Sequence, residues 1–387
     1  MHHAAALLSL IMFASVSLAA QNGPRARDLG IPFDGAPGPL NAITDVAGVE
    51  VGFTTLISGS GKLVVGQGPV RTGVTAVLPR GKGSVNDPVF AGWYSLNGNG
   101  EMTGTTWVEE SGFLEGPVMI TNTHSVGVVR DAVIRWRIEH GAADTSGYWW
   151  SLPVVAETWD GRLNDINGFH VTPDDTFHAL NTAASGPVAE GNVGGGTGMV
   201  CHGFKGGTGT ASRKLDAKAG GYTVGVLVQC NYGVQSELRI AGVPVGRELP
   251  PGIPHKDDTG SIIVVVATDA PLLPSQLKRL ARRVPPGLGR LGSYSGDGSG
   301  DIFIAFSTAN PGSWGSEGGT KRVAMLPNED MNPLFLATVQ SVEEAVVNAL
   351  IAAKTMKGIN DFEVDAIPHA ELQLVLKKYN RLIEPAK

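Results

Sequence analysis

The stretch "HKDDTGSIIVVVATDAPLLP" (residues 255–274) decides how this chain is read. Ile262 to Ala267 is an unbroken run of β-branched and small apolar residues. Such a run, bounded by turn signals, reads as a buried strand. A hydroxyl, Ser261, stands at its head, preceded by Gly260 and by the carboxylates Asp257 and Asp258. A serine there is an ordinary strand-end polar residue, or it is a nucleophile held on a rigid edge.

The rest of the chain bounds the choice. Its 387 residues suffice for one large domain or two ordinary ones, and 42% hydrophobic residues can build a sizeable core. Charged residues make up only 17%, with a net charge of −6, so no basic field exists to neutralise nucleic-acid phosphates. The 53 glycines, set among so many apolar residues, read as tight turns and close backbone approaches, not as disorder. Residues 1–19 read as a signal peptide: Ala4 to Leu18 is apolar but short for a membrane span, and Ser17-Leu18-Ala19 offers small residues for cleavage. The mature chain, from residue 20, is expected to be soluble and periplasmic or secreted, since no later segment reads as long and apolar enough to cross a bilayer. Cys201 and Cys230 sit in apolar contexts and read as buried free thiols, with a bridge as the alternative. No C-x-x-C or H-E-x-x-H spacing occurs, so no metal or other cofactor is expected.

Strand-like runs recur at 49–53, 74–78, 118–122, 223–228, 261–267 and 301–307. Helical periodicity covers 126–141, 274–284 (with Ser275 as a cap) and 341–356, where Ser341 and Glu344 have capping-box spacing. Irregular alternation with several strands in a row argues for layered α/β or α+β structure in a single domain. Lys278, Arg279, Arg282 and Arg283 read as a solvated helix face. The proline-rich segment 242–260 reads as an exposed loop leading to Ser261. The glycine-rich run 191–214 contains no phosphate-loop pattern, and its glycines read as close packing or a substrate-lining loop. "DGSGD" (297–301) lacks the later ligands of a calcium loop, and no G-x-S-x-G is present.

What remains is a repeated placement of polar residues at the ends of apolar strands. Asn231 closes "TVGVLVQC", Ser299 and Asp301 open "DIFIAFSTAN", Glu157 and Trp159 follow "LPVVA", and Ser261 heads its own strand. A nucleophilic serine needs a base. None of His124, His170, His178, His202 or His255 has a triad-like context. Cleavage between Gly260 and Ser261 would supply one, because the freed α-amine has a pKa of roughly 7.7 to 8.0, suited to general-base work near neutrality. Gly260 would permit a strained backbone at the cut.

On these residues the sequence resembles the DmpA-like group of N-terminal-nucleophile hydrolases, the L-aminopeptidase/D-esterase-amidases and β-peptidyl aminopeptidases. The resemblance runs in order through "NAITDVAGVEVGFTT", "LNGNGEMTGTTWVEESG", "ITNTHSVGVVRDAV", "PVVAETWDGRLND", "GNVGGGTGMVCHGFKGGTGTASR", "GVLVQCNYG", "GSIIVVVATDAPLLP" and "GSGDIFIAFSTAN". It implies an αββα sandwich shared with ornithine acetyltransferase-like proteins. It implies self-cleavage into chains 20–260 and 261–387, with Ser261 as nucleophile and Asn231 as the oxyanion donor. Ser299 and Asp301 would orient the new amine, although some β-peptide-cleaving relatives carry Glu at the Asp301 position. Glu157 would hold the substrate ammonium. Trp159 stands where some relatives have Tyr and would line the pocket. The implied enzyme is an aminopeptidase acting on short peptides, amides or esters, assembled as a homo-oligomer of processed pairs. The alternatives are an acyltransferase or oligoamide hydrolase on the same scaffold, or an unprocessed exported binding protein for a small ligand.

Overall fold

The computed structural model describes residues 23–140, 149–253, 260–315 and 319–383. Residues 1–19, read above as a signal peptide, and residues 255–259, including His255, Asp257, Asp258 and Thr259, lie outside the described residues. Two sheets form the centre. A four-stranded sheet runs in the order β1 (Glu50–Ser58), β2 (Val70–Leu78), β5 (Val118–Asn122), β6 (Val154–Thr158). A six-stranded sheet runs in the order β4 (Phe113–Leu114), β3 (Val89–Ser95), β12 (Asp301–Ser307), β11 (Ser261–Thr268), β10 (Thr223–Asn231), β9 (Gly207–Lys214). A small hairpin, β7 (Val200–Cys201) with β8 (Phe204–Lys205), stands apart from both.

The period-two alternation of side chains along a strand sets the layers. On β11, Ile263, Val265 and Ala267 join the core between the sheets, while Ile262, Val264 and Val266 join the core beneath the helices. Both faces are therefore buried, which is why the run is apolar without interruption. On β12 the split repeats, with Ile302, Ile304 and Phe306 between the sheets and Phe303 and Ala305 towards the helices. Helices α4 (Pro274–Ala281), α5 (Val284–Arg290), α6 (Asn332–Ala352) and α7 (His369–Lys378) contribute to the core on the six-stranded sheet. Helices α2 (Val126–Glu139) and α3 (Pro173–Asn181) cover the four-stranded sheet. The order helix, sheet, sheet, helix is the αββα sandwich expected.

Several local expectations change. The two cysteines are not free thiols: Cys201 and Cys230 form a disulfide, with Cα atoms 5.7 Å apart. The hairpin carrying Cys201 is brought against the end of β10 through Gly206, where an added Cβ would meet the Cys230 carbonyl at 2.4 Å. A contact between segments 29 residues apart is invisible to local context. The third helix starts at Asn332, not at Ser341, and ends at Ala352. Pro333 in its first turn is preset for helix entry, and Leu334, Phe335 and Ala337 extend the buried face upstream. Ser341 and Glu344 thus sit mid-helix. Glu344 accepts from Asn41 Nδ2 (2.6 Å) and pairs with Arg27 and Arg213 (both 2.7 Å). The segment Asn328–Ala352 is in fact long and apolar enough to cross a membrane, but most of it is buried here as a core helix. Helix α4 ends at Ala281, and its start is capped by Gln276, which accepts from the Leu273 N–H (3.0 Å), rather than by Ser275. The basic residues of 278–283 hold specific partners: Lys278 pairs with Glu109, while Arg279 and Arg283 lie over the Phe335 ring. The loop from 242 is not wholly exposed either, because Val243, Val245 and Leu249 join the core.

Candidate active site

The apolar layer between the sheets stops at one end, and a cavity of about 520 Å³ begins there. Its walls include Ser261, Gly260, Asn231 and Tyr232 from the six-stranded side, and Thr123, Glu157, Trp159 and Arg162 from the four-stranded side. Gly98, Asn99, Gly100 and Glu101, from the loop after β3, close a third wall. Such a volume fits a small molecule or short peptide.

Strand pairing fixes the chemistry-bearing residues. Ser261 is the first residue of β11 and pairs directly with Asn231, the last of β10. On the other side, Ile262 pairs with Asp301 at the head of the parallel strand β12. The Gly300 N–H donates to Ser261 Oγ (3.1 Å), and no histidine among the described residues bonds that oxygen. Ser299 Oγ donates to Asp301 Oδ1 (2.6 Å), and both residues are fully buried behind Ser261. The shorter acid at 301 therefore reaches Ser299 without the extra methylene of glutamate.

Asn231 is held at both ends of its amide. Its Oδ1 accepts from the Val200 N–H (2.8 Å), and its Nδ2 donates to the Trp159 carbonyl (3.0 Å). These bonds assign the amide orientation and leave the second N–H without an acceptor among the described residues, on a residue that lines the cavity. Such a donor is suited to an oxyanion. Lys205, fully buried, supports the same wall: its ammonium donates to the carbonyls of Met199 (2.9 Å) and Gly206 (2.8 Å), and burial lowers its pKa to about 7.

Gly260 is required for a reason other than a strained torsion. A Cβ there would lie 2.1 Å from the Asn231 carbonyl and 2.7 Å from Tyr232 Cα, so only glycine lets the chain pass β10. Across the cavity, Glu157 is 3% exposed. Its carboxylate accepts from the Glu101 N–H (2.9 Å) and from the Thr123 hydroxyl. Burial raises its pKa, and those two hydrogen bonds partly oppose the shift. A buried carboxylate with no cationic side chain bonded to it among the described residues is a ready partner for an ammonium. Trp159 is 48% exposed at the rim and packs its ring over Gly161.

All the residues singled out from the sequence thus gather at one end of the sandwich, with Ser299 and Asp301 one shell behind the wall. Residues that the sequence reading left without a role are Thr123, the Gly98–Glu101 loop, Arg162 and the main chain of Gly300. The quoted motifs contained them, but nothing local says that Thr123, just past the end of the neighbouring strand β5, will bond Glu157 on β6.

An αββα sandwich with a polar cavity at the head of a buried central strand defines a hydrolase fold of the N-terminal-nucleophile type. The chain belongs to Peptidase family S58, whose signature matches residues 41–364. It is 58% identical over 379 residues to the β-peptidyl aminopeptidase BapA of Sphingosinicella microcystinivorans, covering 94% of each chain. It is 48% identical to the enzyme of the same name from Sphingosinicella xenopeptidilytica, covering 96% of this chain and 95% of that one. Among solved structures it superposes on the L-aminopeptidase D-Ala-esterase/amidase of Ochrobactrum anthropi, described as a prototype for the serine aminopeptidases and a variant of the Ntn-hydrolase fold. The TM-score is 0.88, with 53% identity over 93% of this chain and 99% of that one. The protein is accordingly a hydrolase of the aminopeptidase class.

Proposed function

We propose that this aminopeptidase activates itself by cleavage between Gly260 and Ser261 and then uses Ser261 as both nucleophile and base. The observation that carries the reading is the register of β10, β11 and β12. It sets Ser261 opposite Asn231, next to the Gly300 N–H, and one residue from Asp301, in the cavity that also holds Glu157.

In the self-cleavage, Ser261 Oγ attacks the Gly260 carbonyl carbon, and the Gly260–Ser261 C–N bond breaks as its nitrogen takes up a proton. The ester formed is hydrolysed by water, leaving a Gly260 carboxylate and a free Ser261 α-amine. In turnover, that amine removes the proton of Ser261 Oγ as the oxygen attacks the substrate carbonyl. Asn231 donates its free N–H to the oxyanion. The acyl-enzyme forms as the leaving amine departs with a proton, and water then releases the N-terminal residue. Ser299, held by Asp301, orients the α-amine. Glu157 binds the substrate ammonium, which restricts cleavage to the first residue of a peptide.

The mature enzyme is proposed to consist of chains 20–260 and 261–387, exported after removal of residues 1–19, and to associate as an oligomer of processed pairs. Identity to two β-peptidyl aminopeptidases supports a preference for N-terminal β-amino acids. The decisive experiment is a denaturing gel of purified protein with sequencing of the smaller band, followed by release of p-nitroaniline from β-alanyl and α-alanyl anilides. A band starting Ser-Ile-Ile-Val and faster β-alanyl release are expected. One uncut chain, in wild type and Ser261→Ala alike, would overturn the reading in favour of an unprocessed binding protein.

A further inference from the structure

Three charged side chains line the cavity: Glu101, Glu157 and Arg162. Glu157 has a use in the reading above, as the ammonium site, and Glu101 serves it only through its main-chain N–H. Arg162 has none. Its guanidinium makes no hydrogen bond or ion pair with any described residue, and it lies 5.7 Å from the centre of the Phe362 ring. A guanidinium offers five N–H donors in a planar fork that matches a carboxylate. Leaving them unmade at a half-buried position is costly in a cavity wall unless a ligand or water completes them.

The backbone that carries Arg162 is held rigidly. Asp160, fully buried, accepts from Asn164 Nδ2 (3.0 Å), and its carbonyl accepts from the N–H groups of Leu163 (3.0 Å) and Asn164 (3.1 Å). Arg162 therefore sits in a closed turn that begins directly after Trp159, whose carbonyl positions Asn231. The stacked aromatic ring restricts the guanidinium further.

We infer that Arg162 forms a carboxylate subsite on the leaving-group side of the scissile bond, so that the cavity is complementary to a short zwitterionic peptide. The inference rests on the aminopeptidase reading and deepens it. The substrate's ammonium sits on Glu157, its first carbonyl faces Ser261 and Asn231, and the carboxylate beyond that bond meets Arg162. That carboxylate is either the C-terminus of a dipeptide or an acidic side chain of the residue that follows the scissile bond.

The test compares three substrates that share one N-terminal β-alanyl residue: β-alanyl-alanine, β-alanyl-alaninamide, and β-alanyl-glutamic acid carrying an α-amide. Wild type is expected to favour the free acid over the alaninamide by about tenfold or more in kcat/KM, through KM. Arg162→Met should bring that ratio to within about twofold of one, and Arg162→Lys should retain part of it. Fast cleavage of the glutamyl amide, lost in Arg162→Met, assigns the side-chain source, whereas slow cleavage assigns the C-terminus. A wild-type ratio near one together with slow cleavage of the glutamyl amide, or an equal loss on all three substrates in Arg162→Met, overturns the inference. Release of p-nitroaniline from β-alanyl or α-alanyl anilide by wild type is measured alongside. If it is present while the ratio is flat and the glutamyl amide is cleaved slowly, only the carboxylate subsite fails; if it and all dipeptide cleavage are absent, the aminopeptidase reading fails with it.

Discussion

The two facing walls of the cavity are built differently. On the six-stranded side, Ser261, Asn231 and Asp301 belong to strands whose register is set by continuous ladders. On the four-stranded side, Glu157 is near the end of β6, and its partners come from the loop at Glu101 and the turn at Thr123. Bond-making demands placement within fractions of an ångström, and neighbouring strands supply it. Recognition of an ammonium or carboxylate tolerates more latitude, and strand ends and turns supply that. The difference teaches that one sheet can hold the chemistry while the other is varied to change the substrate.

Substitutions on the first wall should therefore lower kcat, and those on the second should mainly raise KM. The largest effect is expected for Ser261→Ala, which should remain a single chain on a denaturing gel and lose on the order of 10⁶-fold in turnover. Asn231→Ala should lose about 10² to 10³-fold in kcat, measured on a β-alanyl anilide with pre-processed enzyme. An unchanged kcat there would break the comparison. Glu157→Gln should act through KM, raising it by about 10 to 100-fold for substrates with a free amine. Because burial raises the Glu157 pKa, wild-type kcat/KM should fall on the acid side at a higher pH than an ordinary carboxylate would give, and Glu157→Gln should lose that limb.

The last effect concerns stability, not turnover. Burial raises the Asp160 pKa from 3.8 to about 6. The folded state therefore favours the protonated carboxyl. The cost of holding the charge is absent below the unfolded pKa and complete above the folded one. Stability should fall as pH rises from about 4 to about 6, by about 3 kcal/mol at most. Urea titrations of wild type and Asp160→Asn across that window should show the slope only in wild type. An identical slope in both would assign the pH dependence to other groups.

How much of this could be read from the sequence differs between the walls in the same way. Strands 118–122 and 301–307 were legible to the residue, because runs of apolar residues between turns admit one reading. The strand-end residues Ser261, Asn231, Ser299 and Asp301 stood out as polar groups that a buried strand had no reason to carry. Thr123, Gly100 and Arg162 did not stand out, since hydroxyls, glycines and arginines are common in turns. Ser341 and Glu344 misled because capping spacing and mid-helix spacing are both i, i+3, and only the upstream packing of Leu334 and Phe335 separates them.

The sequence by itself determined the layers, since two-faced apolar strands must be covered on both sides, and it marked the head of β11 as unusual. Tertiary structure decided which strand ends meet. Register joined Ser261 to Asn231, the hairpin at Cys201 closed on Cys230, and the second sheet brought Glu157 and Arg162 to the same cavity. The physical reason is that burial is encoded locally, residue by residue, whereas pairing between distant segments depends on the packing of whole sheets. Gly260 joins the two levels: local sequence offered it as a flexible residue, and the fold made it obligatory by bringing the Asn231 carbonyl to where a β-carbon would stand.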